Sequence, residues 1–205
     1  VFTVYALGLP NDPRGSMSRQ VRKVELRDLG ELHFERKEVQ PSSNELRAFY
    51  RDAAKRLKHS LLQFDEREIE IVAKSFADVV KSERYTCYAC AVMPDHVHLL
   101  IRKHKHTAEE MIERFQEASR AAILSNNGRH EPGHPVWGGP GWSGFLEHPD
   151  DVNRTIHYIE QNPVKINRPV QRWSFTRDYD NWPLHEGHSP NSSYVRALKR
   201  AGRYP

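Results

Sequence analysis

Residues 85–102, YTCYACAVMPDHVHLLIR, decide the fold of this chain. The runs Tyr85–Met93 and Val97–Arg102 are apolar and rich in residues that favour strands. Between them stands the turn sequence Met93-Pro-Asp95, whose proline interrupts the first run. The stretch therefore predicts two paired strands joined by a tight turn.

Helical patterns flank this strand pair on both sides. Downstream, the capping box Thr107-Ala-Glu-Glu110 opens a helix that reaches about Ser125, and Pro149 begins another that ends near Asn162. Upstream helices are predicted over 44–57 and 65–82, and further short strands over 1–7 and 142–147. This order of elements predicts an α+β fold, an antiparallel sheet with helices packed on it, of ferredoxin-like character.

The composition is that of a globular chain with a well-solvated surface. Hydrophobic residues make up 38% and charged residues 28% of the 205 residues. No apolar run approaches the roughly 18–20 residues of a membrane helix, so no membrane partner is expected. The net charge of +4 is compatible with a nucleic-acid partner, although many basic proteins bind none.

Two cysteines, Cys87 and Cys90, form a C-x-x-C pair. A structural zinc site needs two further ligands nearby. On a strand, this spacing places the two thiols on opposite faces, which favours buried, reduced cysteines over a zinc site. Reduced cysteines in turn favour a cytoplasmic protein.

The sharpest chemical feature is His96-Val97-His98. Residues i and i+2 of a strand point to the same face, so both imidazoles project together. Two neutral imidazoles on one face can take two positions on a divalent ion. The alternative is a pair of solvent-facing histidines on a half-exposed strand, and spacing alone favours that alternative.

A second feature lies on the last predicted helix, in His157-Tyr-Ile-Glu-Gln-Asn-Pro163. Tyr158 and Asn162 are four residues apart and share a helix face. Asn162 offers a carbonyl oxygen to a metal, and Tyr158 offers a phenol to a substrate. Alternatively, Tyr158 is a core aromatic and Asn162 caps the helix before Pro163.

Together the two features resemble the single-tyrosine HUH transposases. Ala91–Leu100 is similar to that family's metal motif. Tyr158–Lys165 is similar to the tyrosine motif of its REP-associated tyrosine transposase branch, and His134–Trp137 also looks familial. The resemblance covers roughly residues 60–168 and the first strand.

The resemblance implies a domain organisation and also shows where this chain departs from the pattern. Residues 1–168 form the expected catalytic domain, with an insertion at about 10–45, and 169–205 form a polar, basic tail. Both the insertion and the tail match the family poorly. Asp95 stands where the family commonly has Asn before the first histidine, and its carboxylate either tunes the metal or caps the turn.

The resemblance further implies a mechanism. His96, His98 and Asn162 would hold Mg²⁺ or Mn²⁺ at the scissile phosphate, with Gln161 as the rival third ligand. Tyr158 would be the nucleophile and would form a 5′-phosphotyrosine. A phenol is far more acidic than a sugar hydroxyl, so a phenoxide can also leave in the reverse step. His157 is expected to face away from the site, with a role as proton acceptor as the alternative.

Several cations and aromatics are candidates for contacting single-stranded or hairpin DNA. Basic side chains add salt-dependent phosphate contacts, and tryptophans stack on bases. Each has an ordinary alternative as a surface charge or a packing anchor. The candidates are Arg102, Lys103, Lys105, Arg114, Arg120, Trp137 and Trp142.

Three functions remain open at this point. The first is an active DNA nuclease and strand transferase, from a mobile element or retained by a host, acting on repeated palindromes. The second is a non-cleaving DNA-binding module, against which the joint presence of His96, His98 and Tyr158 argues. The third is a metal-dependent hydrolase that uses activated water. The sequence leaves open a monomer acting in cis and a homodimer that shares its sites.

Overall fold

The computed structural model of the chain describes residues 1–16, 28–127, 130–181 and 193–202. Its centre is a three-stranded antiparallel sheet in the order β1-β5-β4, formed by Phe2–Thr3, His96–Ile101 and Cys87–Val92. The strand pair predicted from residues 85–102 is therefore confirmed, with β5 in the middle of the sheet.

Helices surround this sheet, and the prediction of an α+β fold is confirmed. Three of the helices begin at a reciprocal capping box, supplied by Ser42, Asp65 and Thr107. The helices are α1 Ser43–Ala54, α2 Glu66–Glu83, α3 Ala108–Asn127, α4 Pro149–Gln161 and α5 Ser193–Arg200. A short 3₁₀ turn, Val164–Ile166, follows α4.

The two faces of the sheet carry different helices. Val97, Leu99 and Ile101 of β5 join the large core cluster, which also contains the apolar faces of α2 and α3. Leu100, which points the other way, packs with Ile159 of α4 in a second cluster. Strand alternation therefore directs the even-numbered residues of β5, His96 and His98 included, toward the α4 side.

An irregularity in β4 changes the expected position of the cysteines. The register of β4 against β5 shifts between Cys87 and Ala89, as at a β-bulge. Cys87 and Cys90 consequently enter the same core cluster, so the prediction of opposite faces is wrong. Both are buried as free thiols, as the sequence indicated, and burial raises the pKa of the Cys87 thiol to about 12.

The outer edge of β1 is covered by residues 136–142. Val4 bridges Trp137, the Gly138 amide donates to Thr3, and the Trp142 amide donates to Val1. Gly141 has φ +80°, and a Cβ there would lie 2.8 Å from the Val1 carbonyl oxygen, so this close approach requires glycine. The strand expected over 142–147 is absent because the pairing segment lies just before it, and the strand expected over 1–7 is reduced to Phe2–Thr3.

The outer edge of β4 is covered by residues 171–177. The Gln171 side-chain amide both accepts from the Val92 N–H and donates to the Val92 carbonyl, each at 2.8 Å. Farther along, Cys87 bridges Thr176, and the Arg177 amide donates to the Cys87 carbonyl. The segment expected to be an irregular tail thus acts as an additional strand-like border and also contains the helix α5.

The described part of the insertion folds against α1. Gly15–Ser16 (β2) pairs with Glu35–Arg36 (β3). Asp12, which is fully buried, accepts hydrogen bonds from Arg14 and Tyr50, so one carboxylate ties the loop to the helix. Residues 17–27 of the insertion lie outside the described residues. In the described part of the chain, no helix is long and apolar enough to cross a membrane.

Candidate functional site

The site begins with the two histidines of β5. Their rings lie edge-to-face on the α4 side of the sheet, with centroids 4.8 Å apart. His96 keeps 26% of its side-chain surface exposed, whereas His98 is buried at 9%. The strand therefore delivers two imidazoles to one place, at the boundary between the sheet and solvent.

Asp95 fixes the orientation of His96. Its carboxylate Oδ1 lies 2.6 Å from His96 Nδ1. Burial alone would raise the pKa of Asp95, but the hydrogen bond and the charge of His96 outweigh it and lower that pKa. A histidine that donates Nδ1–H to a carboxylate presents its Nε2 lone pair on the other side. Of the two roles considered for Asp95, the geometry favours contact with His96 over capping of the turn.

His98 is held in its neutral form. Burial, assisted by the nearby His96, lowers the pKa of His98 to about 3. A neutral imidazole has a lone pair for a metal ion, whereas an imidazolium has none. The environment of His98 therefore suits a ligand at physiological pH.

Helix α4 brings the tyrosine to this pair. His148 caps the helix and Pro149 occupies its first turn, which fixes where the helix begins. Ile156 and Ile159 face the sheet, so Tyr158 lies at the margin of the buried face. Its ring centroid is 5.4 Å from that of His98, in an edge-to-face arrangement, and 50% of the residue is exposed.

Asn162 ends the helix beneath Tyr158. Its Nδ2 donates to the Tyr158 carbonyl at 2.8 Å, and it is 6% exposed. This bond is the helix-capping contact that the sequence allowed, and it leaves the carbonyl oxygen Oδ1 to accept from other groups. Lys165 Nζ lies 3.5 Å from that oxygen.

The tyrosine opens onto a shallow, open cleft lined by residues of α4 and of the turn that follows it. Gln161, three residues after Tyr158 in the sequence, lines the same cleft. His157 also lines it, so the expectation that His157 faces away is wrong. Tyr158 lies at the edge of the buried stripe, so its neighbour in sequence also reaches the surface. The remaining lining residues are Asn153, Arg154 and Lys165.

Sequence reasoning assigned no role to Arg154 and Lys165. Both follow from helical spacing, because they lie four residues before and seven residues after Tyr158. The i+7 relation survives the end of α4 because the chain continues in the αR region at Asn162 and Pro163. This spacing was the available signal.

The donors at this site fit a hard or borderline divalent ion. His96 and His98 carry two imidazoles on one face of the sheet, and the candidate oxygen donors are the amides of Asn162 or Gln161 at the end of the helix that carries Tyr158. Across the described residues, no group of three or more His, Cys, Asp or Glu side chains could hold a metal ion. Any ion bound here would therefore depend on an amide oxygen and on substrate oxygens to complete its coordination.

Of the cations predicted to contact DNA, those after β5 lie nearest the sheet. Arg102 pairs with Asp180 at 3.3 Å, and Lys103 and Lys105 are exposed in the loop that follows. Arg114 and Arg120 are on α3, across the sheet from the histidines. Arg114 pairs with Glu83 and Arg120 donates to the His134 carbonyl, so the structure does not bring these two to the site.

The two tryptophans differ in placement. Trp137 is 6% exposed, packs edge-to-face on Phe2, and donates its indole N–H to Gln116 and Ser119. Burial of this ring favours the alternative role of Trp137 as a packing anchor over base stacking. Trp142 is 54% exposed and keeps a free surface.

Comparison with known proteins is consistent with this arrangement. The family profile described as "Transposase IS200 like" matches residues 49–162, more than half of the chain. No curated protein and no solved structure matches significantly. The matched range contains the histidine strand, the tyrosine helix and Asn162. The chain therefore belongs to the IS200-like family of single-tyrosine HUH transposases.

Proposed function

We propose that this transposase cleaves and rejoins single-stranded or hairpin DNA through a covalent bond to Tyr158, with Mg²⁺ or Mn²⁺ as cofactor. One observation carries the proposal, the placement of the half-exposed Tyr158 ring 5.4 Å from His98 within a single chain. A tyrosine that only fills the core would be buried. A tyrosine that only faces solvent would not contact the buried histidine of a His-x-His strand.

The proposed reaction transfers the phosphoryl group of the scissile phosphate from the 3′ oxygen of the DNA to Tyr158. Tyr158 Oη attacks the scissile phosphorus, and the bond from phosphorus to the 3′ oxygen breaks. The phenolic proton passes to solvent, and the departing 3′ oxygen takes up a proton to become a hydroxyl. In the reverse step a 3′-hydroxyl attacks the 5′-phosphotyrosine and the phenoxide leaves, so rejoining needs no external energy source.

His96, His98 and Asn162 are the proposed metal ligands, with Gln161 as the alternative to Asn162. A divalent ion bound there would supply charge neutralisation and orientation of the phosphate for in-line attack. Asp95 keeps His96 oriented, and burial keeps His98 neutral. The contact between His98 and Tyr158 lies within one chain, which supports cleavage in cis by a monomer, with a homodimer that shares its sites as the alternative.

The string from Tyr158 to Lys165 supports placement in the REP-associated branch of the family. That branch acts on repeated palindromic DNA, which is the substrate class proposed here. The placement remains a prediction, as do the cytoplasmic location and the choice between a mobile and a host-retained enzyme.

The test uses labelled single-stranded hairpins from the DNA that flanks the gene. Protein and hairpin are incubated with Mn²⁺ and separated on a denaturing gel. A labelled band that migrates with the protein, requires the metal and disappears in Tyr158→Phe supports the proposal. Because the Tyr158 side chain is half exposed, its phenylalanine variant should fold normally.

Other outcomes lead to other functions. A native gel shift without a covalent band would contradict the proposal and favour a non-cleaving DNA-binding module. Metal-dependent cleavage that persists in Tyr158→Phe would indicate hydrolysis by activated water.

A further inference from the structure

We propose that Lys165 is a catalytic residue of this site, and that its ammonium binds a non-bridging oxygen of the phosphate that Tyr158 attacks. The inference rests on the function proposed above and names a further group that acts on the same phosphate. Its basis is the place of one cation beside the nucleophile.

Lys165 contacts both Tyr158 and Asn162 at the end of α4. Its Nζ lies 4.3 Å from the centre of the Tyr158 ring and 3.5 Å from Asn162 Oδ1. Lys165 belongs to the 3₁₀ turn after α4, which ends at Asn167 with positive φ and is closed by the bond from the Arg168 amide to the Pro163 carbonyl. The backbone that carries the lysine is therefore fixed relative to Tyr158.

The charge of Lys165 is not compensated by its described neighbours. Both contacts of its ammonium are with neutral groups, a phenol ring and an amide oxygen. The other cation of the cleft, Arg154, pairs with Asp151. No carboxylate is among the residues that line the cleft, which are Asn153, Arg154, His157, Tyr158, Gln161 and Lys165.

Of the two cations that line this cleft, Lys165 is therefore the one whose charge is available to an entering anion. A phosphodiester carries one negative charge, and a lysine ammonium is a mobile point charge that can follow a phosphate as it rearranges. During attack, the bond from Tyr158 Oη to phosphorus forms while the bond to the 3′ oxygen breaks, and negative charge is spread over the non-bridging oxygens. A cation held beside the nucleophile stabilises the charge of the transition state more than that of the ground state.

The competing explanation is that Lys165 only positions Asn162. In that case its removal would disturb the metal ligand and would act on cleavage through the loss of metal. Cleavage rate and metal affinity must therefore be measured separately on the same variants.

The experiment compares Lys165→Gln, Lys165→Arg and Lys74→Gln in the full chain. Lys74 is an exposed lysine of α2, across the sheet from the site, so its variant removes one charge without touching the cleft. Single-turnover formation of the covalent band is timed with the flanking hairpin and Mn²⁺, and Mn²⁺ affinity is measured without DNA from the electron paramagnetic resonance of the free ion.

We expect Lys165→Gln to slow formation of the covalent band by about 100-fold, a loss typical of removing one stabilising group from a developing anion. Mn²⁺ affinity should stay at the wild-type value. Lys165→Arg should retain most of the rate because it keeps the charge, and Lys74→Gln should be indistinguishable from wild type. An unchanged rate in Lys165→Gln overturns the proposal, as does a slowed rate with a matching loss of Mn²⁺ affinity.

Failure of the function proposed above would look different. If the wild type forms no covalent band, acetylation of Lys165 relative to Lys74 is measured by mass spectrometry with and without the hairpin. Protection of Lys165 alone would support phosphate binding in a chain that does not cleave. Equal acetylation in both conditions would overturn the assignment of Lys165.

Discussion

At the scale of single residues, buried charge in this chain is placed where it joins separate segments. Asp12 is fully buried and is held by Arg14 and Tyr50. Burial on its own would raise the pKa of Asp12, but the bonds from Arg14 and Tyr50 outweigh it and lower that pKa. The charged carboxylate therefore stabilises the folded state.

Asp12→Ala is expected to lower the free energy of unfolding by about 2 kcal/mol at pH 7, because it leaves two donors without their acceptor. A lowered folded-state pKa means that this stabilisation is present above the ordinary Asp pKa and is lost as pH falls through the folded value. Urea unfolding should therefore show the gap to wild type narrowing below about pH 4. A gap that is constant with pH would contradict the role of the charge, and Tyr50→Phe should show a smaller loss.

Asp95 is a second single residue whose replacement should have a specific effect, a loss of metal affinity. Asp95→Ala removes the acceptor for His96 Nδ1 and should weaken Mn²⁺ binding about tenfold or more, as for other partners of metal-binding histidines. Asp95→Asn should lose less because its amide oxygen still accepts. Calorimetric titration with Mn²⁺ measures both, and equal affinity in wild type and Asp95→Ala would show that the contact does not orient His96.

At the scale of elements, the glycine-rich loop before α4 separates one buried tryptophan from one exposed tryptophan. Trp137 closes the core beside β1, whereas Trp142 keeps 54% of its surface in solvent. The loop therefore anchors itself at one end and presents an aromatic ring at the other.

Replacing each tryptophan by alanine should affect a different property, DNA affinity for Trp142 and stability for Trp137. Trp142→Ala should weaken binding of the single-stranded hairpin about tenfold, in the range for loss of one stacked base, with little change in melting temperature. Trp137→Ala should lower the free energy of unfolding by about 3–5 kcal/mol. Fluorescence anisotropy with labelled DNA and thermal unfolding measure the pair. Wild-type DNA affinity in Trp142→Ala would remove that residue from the DNA-binding surface.

The elements also show which parts of the structure the sequence could predict. The pair β4–β5 and the helix α4 follow from local patterns, whereas the meeting of His98 and Tyr158 was expected from the family resemblance. The bulge before Ala89 does not, because a one-residue register shift depends on how β4 packs against its neighbours. The position of His157 was missed because this residue lies next to the border between the buried and the exposed face of α4.

At the scale of the whole molecule, the sheet has no long open edge in the described structure. Residues 136–142 cover β1 and residues 171–177 cover β4. These pairings join residues far apart in the chain, as between Val92 and Gln171. No local pattern in the sequence marks such pairs, which is why 142–147 was predicted as the strand and the tail as irregular. Covered edges disfavour association between sheets of different molecules.

A chain that ends at Arg168 should test the role of the tail. It exposes the Val92 N–H and the Cys87 carbonyl on the edge of β4. We expect a lower melting temperature and self-association, measured by thermal unfolding and light scattering. Gln171→Ala removes only the paired amide contacts and should cost about 1–2 kcal/mol. A truncated chain that stays monomeric and fully stable would show that the tail does not protect the edge.

The cover on β4 also has a consequence for synthesis. The ribosome makes Val92 well before it makes Gln171, so during translation the strand leaves the exit tunnel with its outer hydrogen-bonding groups unpaired. At about 5–20 residues per second, the 79 residues between them take several seconds. For that interval the nascent chain is prone to aggregation. Chaperone binding should therefore be strongest after β4 leaves the tunnel and before residue 177 does.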